Sequence, residues 1–584
     1  MAKLQGWKEQ LLSQAGREVL LKAVIQAIPT FAMSCFKLPI SLCNDIEASI
    51  RKFWWGQRGN QRKIHWAKWS SLCQPKSLGG MGFKDLQNFN VAMLAKQVWR
   101  LLDNKTSLFH RFFKEKFFPR GSILEAKEGN GSFAWKSILK GRDVIKKGMQ
   151  WRVGSGSLIR IYHDSWLPDP YNKRVVSPRD FLGNDAMVSV LIDRDRRSWI
   201  TDAIDNIFLP HEASLIKAIP LSLNDCEDKT FWPHNVDGSY SVRSGYRLLS
   251  EDVSKERPSV SDPAPTKRLW KGIWNLKVPN RVKTFMWRAG TDSLPSKMNL
   301  LKRKVLCNDL CPDCKLESES SFHALWTCRV VAPVWKSKFE WLRKLAVRCN
   351  SFLDVIKLCQ DHNGLLDLLA MTGSLLWSRR NQLRHGEKAI QLHLINATAS
   401  ENLWEFQNAA APPCPVANVA APVRWLPPPK DWVKVNFDGA IFQKEKLAGL
   451  GCIIRNDEGL VMAAFTQCIP LPTSVEMVEV LAARSAIVFA RELCLNQVIL
   501  EGDSDTVIKA LSSGGFDSSC FGHIIKDVKL LSSVFQNISF CHTRRNGNSV
   551  AHRLARSACK FSHFQIWMED LPPDIVSVYL SELP

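Results

Sequence analysis

Lys434-Val-Asn-Phe-Asp438-Gly439-Ala440 is the stretch on which the reading of the C-terminal fold turns. Apolar and polar residues alternate up to an aspartate followed by glycine, the pattern of a strand that ends by projecting a carboxylate from a sheet edge. Two partners follow. Glu479 lies in Met477-Val-Glu-Val-Leu-Ala-Ala-Arg-Ser-Ala-Ile487, a helix-forming segment with few breakers, and Asp503 ends the apolar run Gln497-Val-Ile-Leu-Glu-Gly-Asp503. One aspartate at a strand end is ordinarily a turn residue, and one glutamate on a helix is ordinarily solvated. Three carboxylates delivered by two strand ends and a helix are a different matter. Clustered carboxylates repel unless a cation is shared, and hard cations such as Mg²⁺ prefer oxygen ligands. Two cations so held can activate a water and stabilise a leaving 3′ oxygen.

From about Val433 to Lys560, the order Asp438, Glu479, Asp503 and then His542-Thr-Arg-Arg-Asn-Gly-Asn548-Ser-Val-Ala-His552-Arg-Leu-Ala resembles the ribonuclease H type 1 domain, in the form carried by plant non-LTR (LINE-type) retroelements. The resemblance implies that Asp438, Glu479 and Asp503 are metal ligands for Mg²⁺ or Mn²⁺, and that His542 is the loop histidine that assists near the scissile phosphate. Arg544, Arg545 and Asn548 of the same motif are the candidate nucleic-acid contacts. One position departs from the family: His552 stands where the fourth ligand is normally aspartate. Imidazole suits Mg²⁺ poorly and Mn²⁺ or Zn²⁺ better, so one cation should be held weakly. The implied activity is metal-dependent endonucleolytic cleavage of the RNA strand in an RNA/DNA hybrid. The alternative is a catalytically inactive retroelement remnant that binds nucleic acid without cutting it.

The expected fold of residues 431–562 is an α/β ribonuclease H-like domain with a mixed five-stranded sheet. Strands are expected near 433–438, 449–455, 460–467, 497–501 and 536–542, with a helix near 474–493. A last helix opens at Asn548 and places Ala551, Leu554, Ala555 and Ala558 on one face.

At 584 residues the chain is too long for one ordinary domain. Its net charge of +23 suits a polyanionic partner, nucleic acid, and no apolar run reaches the roughly 18 residues of a spanning helix, which points to no membrane. The charge is uneven. Residues 431–584 hold 14 Lys and Arg against 17 Asp and Glu, so the excess lies upstream, at +26. Met1-Ala-Lys-Leu-Gln-Gly lacks the apolar core of a signal peptide, and the cysteines are scattered, so the expected location is intracellular, nucleus or cytoplasm. The 22 tryptophans often sit beside basic residues, as in Arg51-Lys-Phe-Trp-Trp55, where they could stack on bases, although anchoring a core is the commoner role.

Residues 1–102 read as helical, with helices over Ser13–Ile28, Ile40–Trp55 and Phe89–Arg100, and their phrases are similar to the region that follows the polymerase in plant LINE-type reverse transcriptases. No Ala-Asp-Asp box of a polymerase occurs in the chain. Residues 103–250 form a mixed connector in which the glycines of Gln150–Tyr162 suggest a hairpin. A linker at 251–268 precedes a zinc-binding domain at 269–340, a basic helical segment at 341–408, a Pro/Ala linker at 409–430 and, after the last domain, a tail at 563–584 with no assigned role.

Within 269–340, Cys311-Pro-Asp-Cys314 is followed by His323 and Cys328. Two thiolates on a tight turn, with an imidazole and a thiolate a helical turn apart, suit tetrahedral zinc. Cys307 is a poorer fifth candidate. The segment resembles the reverse transcriptase zinc-binding domain, whose Trp, Val-Pro and Leu-Pro landmarks appear as Trp274, Val278-Pro279 and Leu294-Pro295. With four protein ligands, the zinc would be structural.

Overall fold

The three- and four-residue apolar spacing of the N-terminal region becomes helices at Ile40–Trp54 and Leu86–Asp103, the second opened by the Asp85 carboxylate, which accepts from the Asn88 N–H at 3.0 Å. The computed structural model describes residues 12–56, 63–169, 172–179, 181–255, 264–360, 365–409, 424–513, 515–561 and 564–583. Two compact units emerge, each assembled from two separated stretches: Met1–Gly141 with Leu249–Val416, and Arg142–Leu248 with Ala417–Pro584.

In the first unit, helices Ala264–Asn275, Asn280–Gly290, Leu365–Arg384 and Ile395–Ala409 share one core with the N-terminal helices. Tryptophans supply much of it: Trp54, Trp287 and Trp335 are fully buried, and the Trp287 indole N–H donates to the Gly79 carbonyl at 2.8 Å. These rings anchor the core and are closed to bases. Of the expected linkers, residues 251–255 complete a helix and 264–268 begin one, while 256–263 and 410–423 lie outside the described residues.

The second unit is organised by a mixed sheet, whose elements are numbered here within residues 424–583. They are β1 (Val433–Phe442), β2 (Leu447–Arg455), β3 (Val461–Pro470), α1 (Val475–Glu492), β4 (Gln497–Gly502), α2 (Asp505–Ser512), α3 (Gly522–Ser532), β5 (Asn537–His542), α4 (Ser549–Ser557), β6 (Gln565–Met568) and α5 (Pro573–Glu582). The strand order is β6-β3-β2-β1-β4-β5, with β1, β4 and β5 parallel and the remaining pairs antiparallel.

Three expectations are corrected. The sheet has six strands rather than five, because Gln565–Met568, in the stretch read as a tail, pairs with β3. β1 is central and does not stop at Asp438; hairpin pairing with β2 carries it on to Phe442. The Gln150–Tyr162 stretch is no local hairpin. Gln150–Arg152 pairs instead with Lys229–Phe231, because the Asp228 carboxylate gathers the N–H groups of Gly154, Gly156 and Leu158 at 2.7–2.8 Å and fixes the two distant segments together.

Residues 142–248 join the sheet's helices through buried polar contacts. Arg152 donates to the Asp517 and Ser519 carbonyls at 2.8 and 2.6 Å. The buried Asp527 carboxylate of α3 accepts from the Ser222 hydroxyl, the Leu223 N–H, the Asn224 amide and the Arg484 guanidinium. The His523 ring donates through Nε2 to the Pro220 carbonyl at 2.9 Å. The Arg152 guanidinium and the Asp527 carboxylate are both paired, which is what makes the burial of their charge tolerable, while the neutral His523 ring is bonded through Nε2 alone.

Candidate metal centres

Asp438 lies opposite Gly451 of β2, two residues beyond the last parallel pair between β1 and β4, Asn436 with Glu501. Where β4 ends, the chain turns away and leaves Asp503 beside Asp438. Glu479 comes from the first turns of α1, which lies close against β1: a Cβ on Gly439 would stand 2.7 Å from Val478 Cγ1. The glycine after Asp438 therefore serves the approach of the helix rather than a turn. Asp438, Glu479 and Asp503 each offer an oxygen, and the three lie within 4.8 Å of one another.

Asp438 is 2% and Glu479 7% exposed. Burial pushes the Asp438 carboxyl above its ordinary value; the hydrogen bond from His552 opposes this and the neighbouring Asp503 adds to it. Glu479 is pushed well above its ordinary value by burial and then by the Asp438 and Asp503 charges, against the Gly439 N–H and the Arg545 charge. Glu479 Oε2 is buried without a hydrogen-bond partner. Three hard oxygen donors, mutually repelling and with one lone-pair group unmatched, are the donor set that a divalent cation fits.

The other predicted site residues fall differently. His542 is the last residue of β5, exposed, with Nε2 3.1 Å from the Asp503 carbonyl. His552, on α4, stands outside the carboxylate trio and places Nδ1 2.6 Å from Asp438 Oδ2. Arg544 and Arg545 are exposed. Asn548 requires correction as a nucleic-acid contact. It is 1% exposed, and its amide is spent inside the fold, donating to the Phe437 carbonyl at 2.9 Å and accepting from Asn436 at 3.2 Å.

Sequence reasoning missed the polar layer beneath this site. Asn436 and Glu501 each precede a site aspartate by two residues, hence on the same strand face, and Asn548 precedes His552 by four, one helical turn. Asn436 donates to Glu501 at 2.9 Å and accepts from Arg455 at 2.9 Å, and Trp425 donates to it at 3.0 Å. The available signal was the alternation itself, which puts the polar Lys434, Asn436 and Asp438 together on one face of β1, all of them buried.

In the first unit Cys311, Cys314, His323 and Cys328 are all buried and bring their ligand atoms within 4.8 Å of one another. Cys311 and Cys328 sulfurs are 3.9 Å apart, close to the roughly 3.8 Å edge of a tetrahedron with 2.3 Å Zn–S bonds. His323 Nε2 faces Cys314 at 3.4 Å, while Nδ1 meets Glu317 at 3.1 Å. A proton held on Nδ1 by that carboxylate leaves the Nε2 lone pair toward the sulfurs. Burial pushes the Cys311 and Cys328 thiols up. Burial acts the same way on Cys314, yet the Leu316 and Glu317 N–H groups, with His323 and Cys311, bring it down to about 6. A thiolate is thus already favoured at one corner, and the set fits zinc. Cys307 is exposed and outside the group.

Two families match the chain: one described as reverse transcriptase-like over residues 436–558, and one described as zinc-binding in reverse transcriptase over 240–335. A protein of Arabidopsis thaliana named "Putative ribonuclease H protein" is 28% identical over 610 residues, covering 100% of this chain and 94% of its own. An uncharacterized mitochondrial protein of the same plant is 39% identical over 145 residues, which is 24% of this chain and 94% of that protein. Among solved structures, ribonuclease H1 of Halobacterium salinarum NRC-1 is 25% identical, covering 22% of this chain and 97% of its own, at a TM-score of 0.21. No helix among the described residues is long and apolar enough to cross a membrane. The chain belongs with the reverse transcriptase relatives, in which a segment of the zinc-binding-in-reverse-transcriptase family is followed by one of the reverse transcriptase-like family.

Proposed function

We infer that this protein cleaves the RNA strand of RNA/DNA hybrids by divalent-cation-dependent hydrolysis, with Asp438, Glu479 and Asp503 holding the cation. The observation that carries the reading is the meeting of these three carboxylates, one from within β1, one from the first turns of α1 and one just past the end of β4, with a buried Glu479 oxygen left unmatched. Mg²⁺ or Mn²⁺ bound there would supply an activated water and stabilise the departing 3′ oxygen. The chain's own groups do the rest. Asp438 and Glu479 are fixed by β1 and α1 before substrate arrives, so little reorganisation is needed. His542, exposed with Nε2 beside the Asp503 carbonyl, would exchange a proton at the substrate phosphate. Arg544 and Arg545 offer exposed cations for the phosphate backbone. The Cys311, Cys314, His323 and Cys328 group would hold a structural zinc.

One observation favours a second reading, a nucleic-acid-binding remnant without cleavage: His552 occupies an Asp438 oxygen that a second cation would require. A hybrid-cleavage assay with Mg²⁺ and with Mn²⁺, comparing the chain with Asp438→Asn, separates the two. Cleavage that depends on Asp438 supports the enzyme; binding of hybrid with no cleavage in either cation supports the remnant; cleavage that persists in Asp438→Asn removes the site from the reaction.

A further inference from the structure

The stretch after residue 558 lies beyond the segment matched to the reverse transcriptase-like family, yet it ends on one of the most enclosed carboxylates in the chain. Glu582, at the close of α5, is 3% exposed. Its two oxygens serve two different elements. Oε1 accepts from the Ser549 N–H and, at 3.3 Å, from the Val550 N–H, the first two residues of α4. Oε2 accepts from the guanidinium of the fully buried Arg455 on β2 at 2.8 Å.

A helix start leaves N–H groups unpaired, and a side chain of the residue before the helix usually takes one of them. Asn548 holds that position here and makes no such bond, because its amide is committed to Phe437 and Asn436. Glu582 therefore substitutes, from across the sequence, for the missing local cap, and its negative charge stands at the positive end of the helix. α4 has no slack on the opposite side. It presses on β2 so closely that a Cβ on Gly451 would come 2.3 Å from the Ala555 nitrogen. Pinned between Gly451 beneath it and Glu582 at its start, the helix has one axial position, and that position puts His552 Nδ1 2.6 Å from Asp438. The same Arg455 that Glu582 neutralises also donates to Asn436, two residues before Asp438 on the same strand face.

We propose that Glu582 is a positioning residue for the carboxylate site: through Ser549 and Val550 it sets α4, and through Arg455 and Asn436 it sets β1, so that His552 and Asp438 meet. The catalytic consequence rests on the hydrolase reading above; the positioning itself does not.

The test uses the full chain and its Glu582→Ala and Glu582→Gln forms. Thermal melts followed by circular dichroism fix a temperature at which all three are folded. At that temperature the His552 ring is read by NMR with labelled histidine, its signal assigned through its loss in His552→Gln, and hybrid cleavage is measured alongside. In Glu582→Ala the His552 signal should move or split, and kcat should fall about tenfold, the low end for loss of a group that orients a metal-site residue, with KM unchanged. Glu582→Gln keeps an acceptor for Ser549 and Val550 but not the charge opposite Arg455, and should fall between. If Glu582→Ala does not fold, Glu582→Gln decides. A His552 signal superimposable on that of the unaltered chain in every folded variant would overturn the proposal. A signal that moves in a chain that cleaves nothing leaves the positioning in place and removes the hydrolase reading instead.

Discussion

The cysteine and histidine site of the first unit and the carboxylate site of the second would hold a cation in opposite ways. The first takes all four donors from one short stretch, buries each of them, and orients its histidine with Glu317. The second draws three donors from β1, α1 and the end of β4, and the residue in the fourth place, His552, spends its ring nitrogen on Asp438. A local site is complete once its loop forms. A dispersed site is only as well formed as the scaffold that registers its strands and helices, which is why a polar network of Asn436, Glu501, Arg455, Asn548 and Glu582 lies beneath it.

The largest effect expected from this contrast is on the first site. Structural zinc contributes apparent binding energies of about 10–16 kcal/mol in isolated zinc-finger peptides, most of it realised as folding. Here a tryptophan-rich core surrounds the site, so Cys311→Ser should cost several kcal/mol without unfolding the whole unit. Elemental analysis should show one zinc per chain, falling to background in Cys311→Ser, and zinc removal should leave the second unit's sheet folded because its core is a separate cluster. Unchanged metal content in the variant would break the comparison at its root. Next in size is Asp438→Asn. Removing the charge nearest both Asp503 and His552 should lower cleavage by about 10²–10³-fold, the loss typical of one electrostatic stabiliser, while leaving hybrid binding nearly intact. Steady-state kinetics set against hybrid binding separate the two quantities.

The same contrast explains what the sequence could disclose. Cys311, Cys314, His323 and Cys328 are legible from spacing alone, because a loop closes over short distances whatever surrounds it. Asp438, Glu479 and Asp503 are legible through alternation, helix propensity and their order. The Asp438 strand end was misplaced because alternation marks a strand's faces and not its length; hairpin pairing with β2 extends it. The sixth strand escaped because Gln565-Ile-Trp-Met568 is short and runs straight into the acidic, proline-bearing Glu569-Asp-Leu-Pro-Pro-Asp574, so only tertiary pairing with β3 defines it. Asn548 was misassigned for a related reason. A polar residue beside two arginines reads as a surface contact, and nothing local says that both ends of its amide are already taken.

The polar fastening of the second unit should also be visible as pH dependence. Burial, aided by the Arg152 charge, depresses His523 from its ordinary 6.5 to about 3, so the ring stays neutral while donating to Pro220. The unfolded chain takes up a proton below about 6.5 and the folded one does not until about 3. Stability is therefore full above the unfolded value and falls through the window between the two, by up to about 1.4 kcal/mol per pH unit. Chemical denaturation of the second unit between pH 7 and 4 should show this slope, and His523→Gln should flatten it. An equal slope in the variant would assign the pH dependence to other groups, and the contacts of residues 142–248 would lose their claim to it.

The smallest effect, and the one that bears most directly on the difference between the two sites, is expected from His552→Asp. At present the fourth place offers a nitrogen already shared with Asp438, where Mg²⁺ would favour an oxygen. Cleavage should accordingly respond more to Mn²⁺ than to Mg²⁺. An aspartate at 552 adds a hard donor and a negative charge, yet it also adds repulsion toward Asp438, whose carboxyl is already pushed up by burial. Without cation, that repulsion should loosen α4 and lower the melting temperature slightly. With cation, it becomes binding energy, and Mg²⁺ affinity should rise about tenfold, the lower range for changes at a metal site's supporting residues. The two signs are the diagnostic. A residue that only packed the helix would change stability equally with and without Mg²⁺, whereas a residue at the metal site should reverse the ranking of the two forms as Mg²⁺ is titrated. Melting curves that keep the same order at every Mg²⁺ concentration would place His552 in the helix packing and leave the carboxylate site with three donors and no fourth.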